Sequence, residues 1–182
     1  MSGDLMKANI IRGFYRDLKL ATELFKKRIG EEELVGASTG FLYYPYWLVN
    51  FEVKASLIFG VNKTYDGVYL MVDGITGFVG YTSKPDLSTE ELEESRVLSL
   101  KVSEEAGVNG AKEYVKRTFQ RLKRLTMLKE LEINKIESSV IYKQFWLFKL
   151  PEKKGRKAWL LIDSVSGSSQ FVVPSDIGME VS

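Results

Sequence analysis

The residues whose type and spacing could do chemistry are two aspartates that open the same short run. Val72-Asp73-Gly74-Ile75-Thr76-Gly77 and Ile162-Asp163-Ser164-Val165-Ser166-Gly167 both read apolar, Asp, small, apolar, hydroxyl, Gly. One chemistry this pattern allows is oxygen ligation of a hard cation. A carboxylate and a hydroxyl fall well short of the six or more oxygens such an ion takes, so the pattern fits a hairpin turn better. In that turn Asp73 and Asp163 accept bonds from nearby backbone N–H groups, and Gly77 and Gly167 take the positive φ that closes it.

The chain has no cysteine and no histidine. That removes thiolate nucleophiles, Ser-His triads, histidine bases, disulfides and Cys/His zinc sites. There is no Walker A loop, dinucleotide fingerprint or G-x-S-x-G elbow. The expectation is a non-enzyme with no cofactor and no metal. Glu90, Glu91, Glu93 and Glu94 form an acidic group, but they follow Ser88-x-x-Glu91, which reads as a capping box, with Leu87 and Leu92 as its hydrophobic staple. Acids there suit a helix dipole.

Two surfaces could bind something. Phe41, Tyr43, Tyr44, Tyr46, Trp47 and Phe51 are a dense aromatic cluster. Strand alternation sends Tyr43, Trp47 and Phe51 to the core and leaves Tyr44 and Tyr46 on the other face, as sheet cover or as a platform for peptide, ligand or bases. Pro45 between them suits a strand start or an edge. Arg117, Arg121 and Arg124 recur at helical spacing with Lys112, Lys116 and Lys123 beside them. They are either a solvated helix face or a contact for nucleic acid or an acidic partner. Seven bases stand against Glu113 alone between Lys112 and Lys129, although formal net charge is only +2. Gly107-Val108-Asn109-Gly110 resembles the GxxG of KH domains, but it opens a helix and reads as helix-start chemistry.

Elements must position these residues. Leu5–Ile29 reads as an amphipathic helix with a stripe of Ile11, Phe14, Leu18, Ala21 and Phe25, closed by Lys26-Lys27-Arg28 and Gly30. Strands follow at Trp47–Val53, Val68–Val72 and Phe78–Thr82. A short helix is expected from Ser88, an extended Val97–Val102, and a long helix from a Ser103 cap to about Met127. Its stripe is Val108, Ala111, Val115, Phe119, Leu122 and Leu125. Further strands are expected at Leu131–Ile136, Val140–Leu150, Ala158–Ile162 and Gln170–Val173.

The halves match in order. Leu42-Tyr43-Tyr44-Pro45-Tyr46-Trp47-Leu48 aligns with Ile141-Tyr142-Lys143-Gln144-Phe145-Trp146-Leu147, ahead of the two Asp-to-Gly runs. The expected fold class is therefore α+β: tandem duplicated helix plus three-stranded antiparallel hairpin units, (α-β-β-β)×2, sharing a core. The first repeat is 1–87, a connecting segment with a short helix is 88–102, and the second repeat is 103–182.

Phe25-Lys26-Lys27-Arg28-Ile29-Gly30, Leu48-Val49-Asn50-Phe51-Glu52-Val53 and Val72-Asp73-Gly74-Ile75-Thr76-Gly77 resemble the PepSY domain of peptidase propeptides, with a second, looser copy through Ile162–Gly167. The resemblance implies a non-enzymatic fold used for interaction or inhibition. Many such domains are exported or membrane-linked. Here charges at Asp4, Lys7, Arg12, Arg16, Asp17 and Lys19 interrupt every apolar run of Met1–Ile29, and no stretch approaches about 20 apolar residues. The expected location is cytoplasmic, with no membrane span.

The leading expectation is a protein-binding or regulatory module. Its candidate surface is Tyr44, Tyr46, Arg117, Arg121 and Arg124, and its partner is another protein or a second copy. Nucleic-acid binding through the basic helix 112–129 and exposed aromatics is the alternative. A small apolar-ligand pocket between the repeats, lined by Trp47 and Trp146, is the third.

Overall fold

The computed structural model describes residues 4–57, 61–126, 128–151 and 159–173. Its strands are β1 (Leu5–Ile11), β2 (Ser38–Leu57), β3 (Asn62–Asp73), β4 (Val79–Thr82), β5 (Leu87–Glu93), β6 (Leu128–Lys149), β7 (Trp159–Asp163) and β8 (Ser169–Val172). Its α-helices are α1 (Leu18–Ile29) and α2 (Glu104–Thr126). The strands form one mixed sheet in the order β4-β3-β2-β6-β1-β5, with β7 on β6 and β8 on β7. Neighbours are antiparallel in β1–β5, β2–β3, β3–β4, β6–β7 and β7–β8, whereas β1 meets β6 in parallel at Ile10 and Tyr142.

This overturns the expected α+β fold of tandem (α-β-β-β) units. An eight-stranded mixed sheet dominates, two of its strands lie where helices were expected, and the buried residues of α1 pack on β6 and β7 while those of α2 pack chiefly on β2 and β3. The first missed strand is β1. From Leu5 to Ile10 burial alternates: Met6, Ala8 and Ile10 are more buried than Leu5, Lys7 and Asn9. That is period 2, and it overrides the helical stripe read through Leu5–Ile29. Helix α1 begins only at Leu18, capped by Asp17, whose carboxylate accepts from Lys19 N–H (2.7 Å) and Leu20 N–H (3.3 Å). Phe14 and Leu18 are left exposed, and Ala21 and Phe25 alone of the expected stripe are buried on α1.

The second missed strand is β5. The Ser88-x-x-Glu91 run pairs with β1 over its whole length, Leu5 opposite Glu93 through to Ile11 opposite Leu87. A capping box is a local preference worth about 1 kcal/mol, and seven residues of ladder outweigh it. The Ser103 cap does form, with Ser103 Oγ accepting from Ala106 N–H at 3.2 Å.

The described chain forms two compact units. Unit 1 takes 1–44, 87–98 and 142–182; unit 2 takes 45–86 and 99–141. In unit 1, Ala21 and Phe25 of α1 pack on Trp146, Phe148, Leu160 and Ile162 of β6 and β7. Two smaller clusters join Ala8, Ile10, Tyr43 and Leu92, and Leu42, Leu147, Trp159 and Leu161. In unit 2, Ala111 and Val115 of α2 pack on Trp47, Val49, Phe51 and Val53 of β2, Leu70 and Val72 of β3, and Ile133 of β6.

Candidate functional site

The two Asp-to-Gly runs are turns that act as docking posts. Asp73 Oδ1 accepts from Ile75 and Thr76 N–H, both at 2.8 Å, and Gly77 N–H donates to the Asp73 carbonyl at 2.9 Å with Gly77 at φ 76°. This leaves the Gly74 carbonyl facing outward, where it accepts from Lys101 (2.8 Å) and Val102 (2.9 Å) N–H. Trp47 reaches the same segment, its indole N–H donating to the Val102 carbonyl at 2.8 Å. A Cβ on Gly74 would sit 2.7 Å from the Pro45 carbonyl oxygen, so no other residue fits there without backbone movement.

The post in unit 1 is built alike. Asp163 Oδ1 accepts from Val165 (2.8 Å) and Ser166 (3.4 Å) N–H, and Gly167 has φ 70°. The Ser164 carbonyl accepts from Tyr15 N–H at 2.8 Å, and Trp146 donates to the Tyr15 carbonyl at 2.8 Å. Asp163 Oδ2 also holds Lys143 at 3.1 Å in a well-covered ion pair. Among the described residues there is no group of three acidic, His or Cys side chains able to hold a metal ion.

The unit 2 post sets the start of α2, and with it a groove. Gly107 lies flat on Trp47: a Cβ there would come within 3.0 Å of the indole Cδ1. The GxxG run thus serves close helix–sheet approach. One turn on, Asn109, Gly110, Glu113, Tyr114 and Arg117 of α2 face Gly77, Phe78 and Val79 across an open groove of about 560 Å³. Phe78 is 77% exposed, Tyr81 46% and Tyr114 36%, and the two tyrosine rings meet edge-on at 5.3 Å. Glu113 is engaged by Lys116 at 2.5 Å, which holds its carboxyl below the usual range. Arg117 and Arg121 are exposed.

The residues of the expected surface are divided between the two units. Tyr44 belongs to unit 1, half-buried with its ring 6.0 Å from Phe145; Tyr46, also half-buried, belongs to unit 2 with Arg117 and Arg121. The Arg124 side chain lies outside the described residues. Phe78 and Tyr114 share the groove with Arg117, and Tyr81 stands against Tyr114. A signal for Tyr114 was present: it stands off the Val108-Ala111-Val115 stripe, where an aromatic has no core to fill. Phe78 and Val79 are likewise adjacent large apolar residues, and strand alternation can bury only one of them. Trp47 and Trp146 are buried in the cores of their own units with their N–H groups on backbone carbonyls.

A second polar cluster lies in unit 1. Arg16 meets both carboxylate oxygens of Glu90 at 2.6 and 2.7 Å, and its Nε donates to Gln144 Oε1 at 3.3 Å. Ser88 Oγ donates to Glu90 at 2.6 Å. The Arg16 bonds chiefly hold the Glu90 carboxyl down at about 2. Burial pushes the neighbouring Tyr43 phenol up. A fork-to-fork pair of this kind is already neutralised and ties β5 to the turn before α1.

No helix of the described residues is long and apolar enough to cross a membrane. Comparison with family models, curated proteins and solved structures finds no match to this chain. The PepSY resemblance therefore rests on its quoted residues alone.

Proposed function

We propose that the chain is a non-catalytic protein-binding module whose docking site is the groove between β4 and α2. One observation carries this reading: two exposed aromatics, Phe78 and Tyr114, line a concave surface beside an end strand of the sheet, with exposed Tyr81 edge-on to Tyr114. Exposed aromatics clustered at a cleft are the commonest anchors of protein recognition. The PepSY resemblance points the same way. The basic residues on α2 keep single-stranded nucleic acid as the second reading, since stacking aromatics beside arginine also suit bases.

A displayed library of random ten-residue peptides, selected on the full-length chain, tests the reading. Peptides should enrich, and their binding should fall about tenfold or more in a Phe78→Asp, Tyr81→Ala double variant. Its thermal melt should match that of the parent, because both side chains are exposed. No enrichment, or equal binding to the variant, would overturn it.

A further inference from the structure

The backbone of β4 says how a partner would lie in this groove. Asp73 N–H donates to the Phe78 carbonyl at 2.8 Å, so that opposed pair is hydrogen-bonded. The register continues Val72–Val79, Met71–Gly80, Leu70–Tyr81 and Tyr69–Thr82. Antiparallel pairs alternate between bonded and non-bonded, so Gly80 and Thr82 turn their main-chain groups to β3, while Val79 and Tyr81 turn theirs away. β4 ends the strand order, and no described strand lies on that far side. The N–H and C=O groups of Val79 and Tyr81 therefore line an open edge.

Edge strands are usually guarded by charge. β5, at the other end of the same order, carries Glu90, Glu91 and Glu93. The β4 sequence Val79-Gly80-Tyr81-Thr82 carries no charge at all. Beside it, α2 has four cations against one acid between Gly107 and Arg121, and that acid, Glu113, is held by Lys116. Of these cations Arg117 lines the groove itself, with Arg121 one helical turn further along. An uncharged edge beside them is a template for an extended chain with negative side chains.

We infer that the occupant of the groove is an acidic peptide segment that adds a strand to β4, its main chain bonding Val79 and Tyr81 and its carboxylates meeting Arg117 and Arg121. This rests on the binding-module reading and names its partner class. Two outward residues provide few main-chain bonds, so the side-chain contacts on Phe78, Tyr114 and the arginines must supply much of the affinity and the selectivity.

The enriched peptides of the display selection, synthesised with a fluorescent label, are the probe. They should carry an excess of Asp and Glu. Affinity should drop about tenfold or more in an Arg117→Glu, Arg121→Glu variant and fall steeply with added salt. N-methylation at every second peptide residue should abolish binding in one phase and leave it intact in the other, because only one set of amides faces β4. Neutral or basic enriched peptides would overturn this inference while leaving the binding module standing. So would indifference to the arginine reversal, or to N-methylation in both phases. A ten-nucleotide single strand that displaces the peptides and binds more tightly would also overturn it, in favour of nucleic acid. A selection that enriches nothing overturns the module itself.

Discussion

Glu90 shows how far a residue's role depends on which strand its neighbours pair with. Its bonds from Arg16 lower its pKa from an ordinary 4.5 to about 2. A carboxyl depressed on folding adds stability above its unfolded value, and that stability fades as pH falls through the folded value. Glu90→Gln should therefore cost about 1 kcal/mol near neutrality, the modest size reflecting a pair that solvent partly screens. The gap between parent and variant should close between about pH 4.5 and pH 2, which urea melts at stepped pH would read. A gap unchanged at pH 2 would remove the ion pair as its source. None of this was legible locally. Ser88-x-x-Glu91 satisfies a helix-start pattern, and only pairing with β1 turns Ser88 and Glu90 toward Arg16. The turn residues behaved oppositely: the bonds that Asp73 Oδ1 and Asp163 Oδ1 accept stay within three residues in sequence, so their spacing announced them.

At the scale of elements, the helices carry the main departure from the sequence reading. An apolar stripe states that a helix must cover a sheet, and leaves open which strands of it. Phe25 of α1 lies 4.7 Å, ring to ring, from Phe148 of β6, and Val115 of α2 joins Val49 and Phe51 of β2. Phe25→Ala should cost about 3–5 kcal/mol and expose backbone amides of β6 and β7 to hydrogen exchange, leaving β2 and β3 protected. Val115→Ala should show the opposite pattern at smaller cost. Loss of protection confined to β2 and β3 in the Phe25 variant would reverse the assignment of the helices. The groove follows from the same placement. It exists because α2 and β4 share unit 2, although the 21 residues between Thr82 and Glu104 include β5, which belongs to unit 1.

Over the whole molecule, each unit draws on both halves of the sequence: unit 1 joins described residues from 142 onward to those up to 44, and unit 2 joins 99–141 to 45–86. A chain cut after Leu98 should therefore give two fragments, 1–98 and 99–182, that each lack a complete core. Neither should melt cooperatively by circular dichroism, and an equimolar mixture should recover a cooperative transition. A cooperative melt from 1–98 alone would contradict this. The sequence by itself determined what short-range chemistry controls: the Asp-to-Gly turns, the Ser103 cap, the long basic helix, the Trp-bearing strands and the matched blocks around them. Tertiary structure alone decided the pairing of β1 with β5, the sheet face each helix covers, and the aromatics that stand beside the arginines. Those outcomes depend on contacts between residues tens of positions apart, where many pairings satisfy the same local pattern and only total burial and hydrogen bonding choose among them.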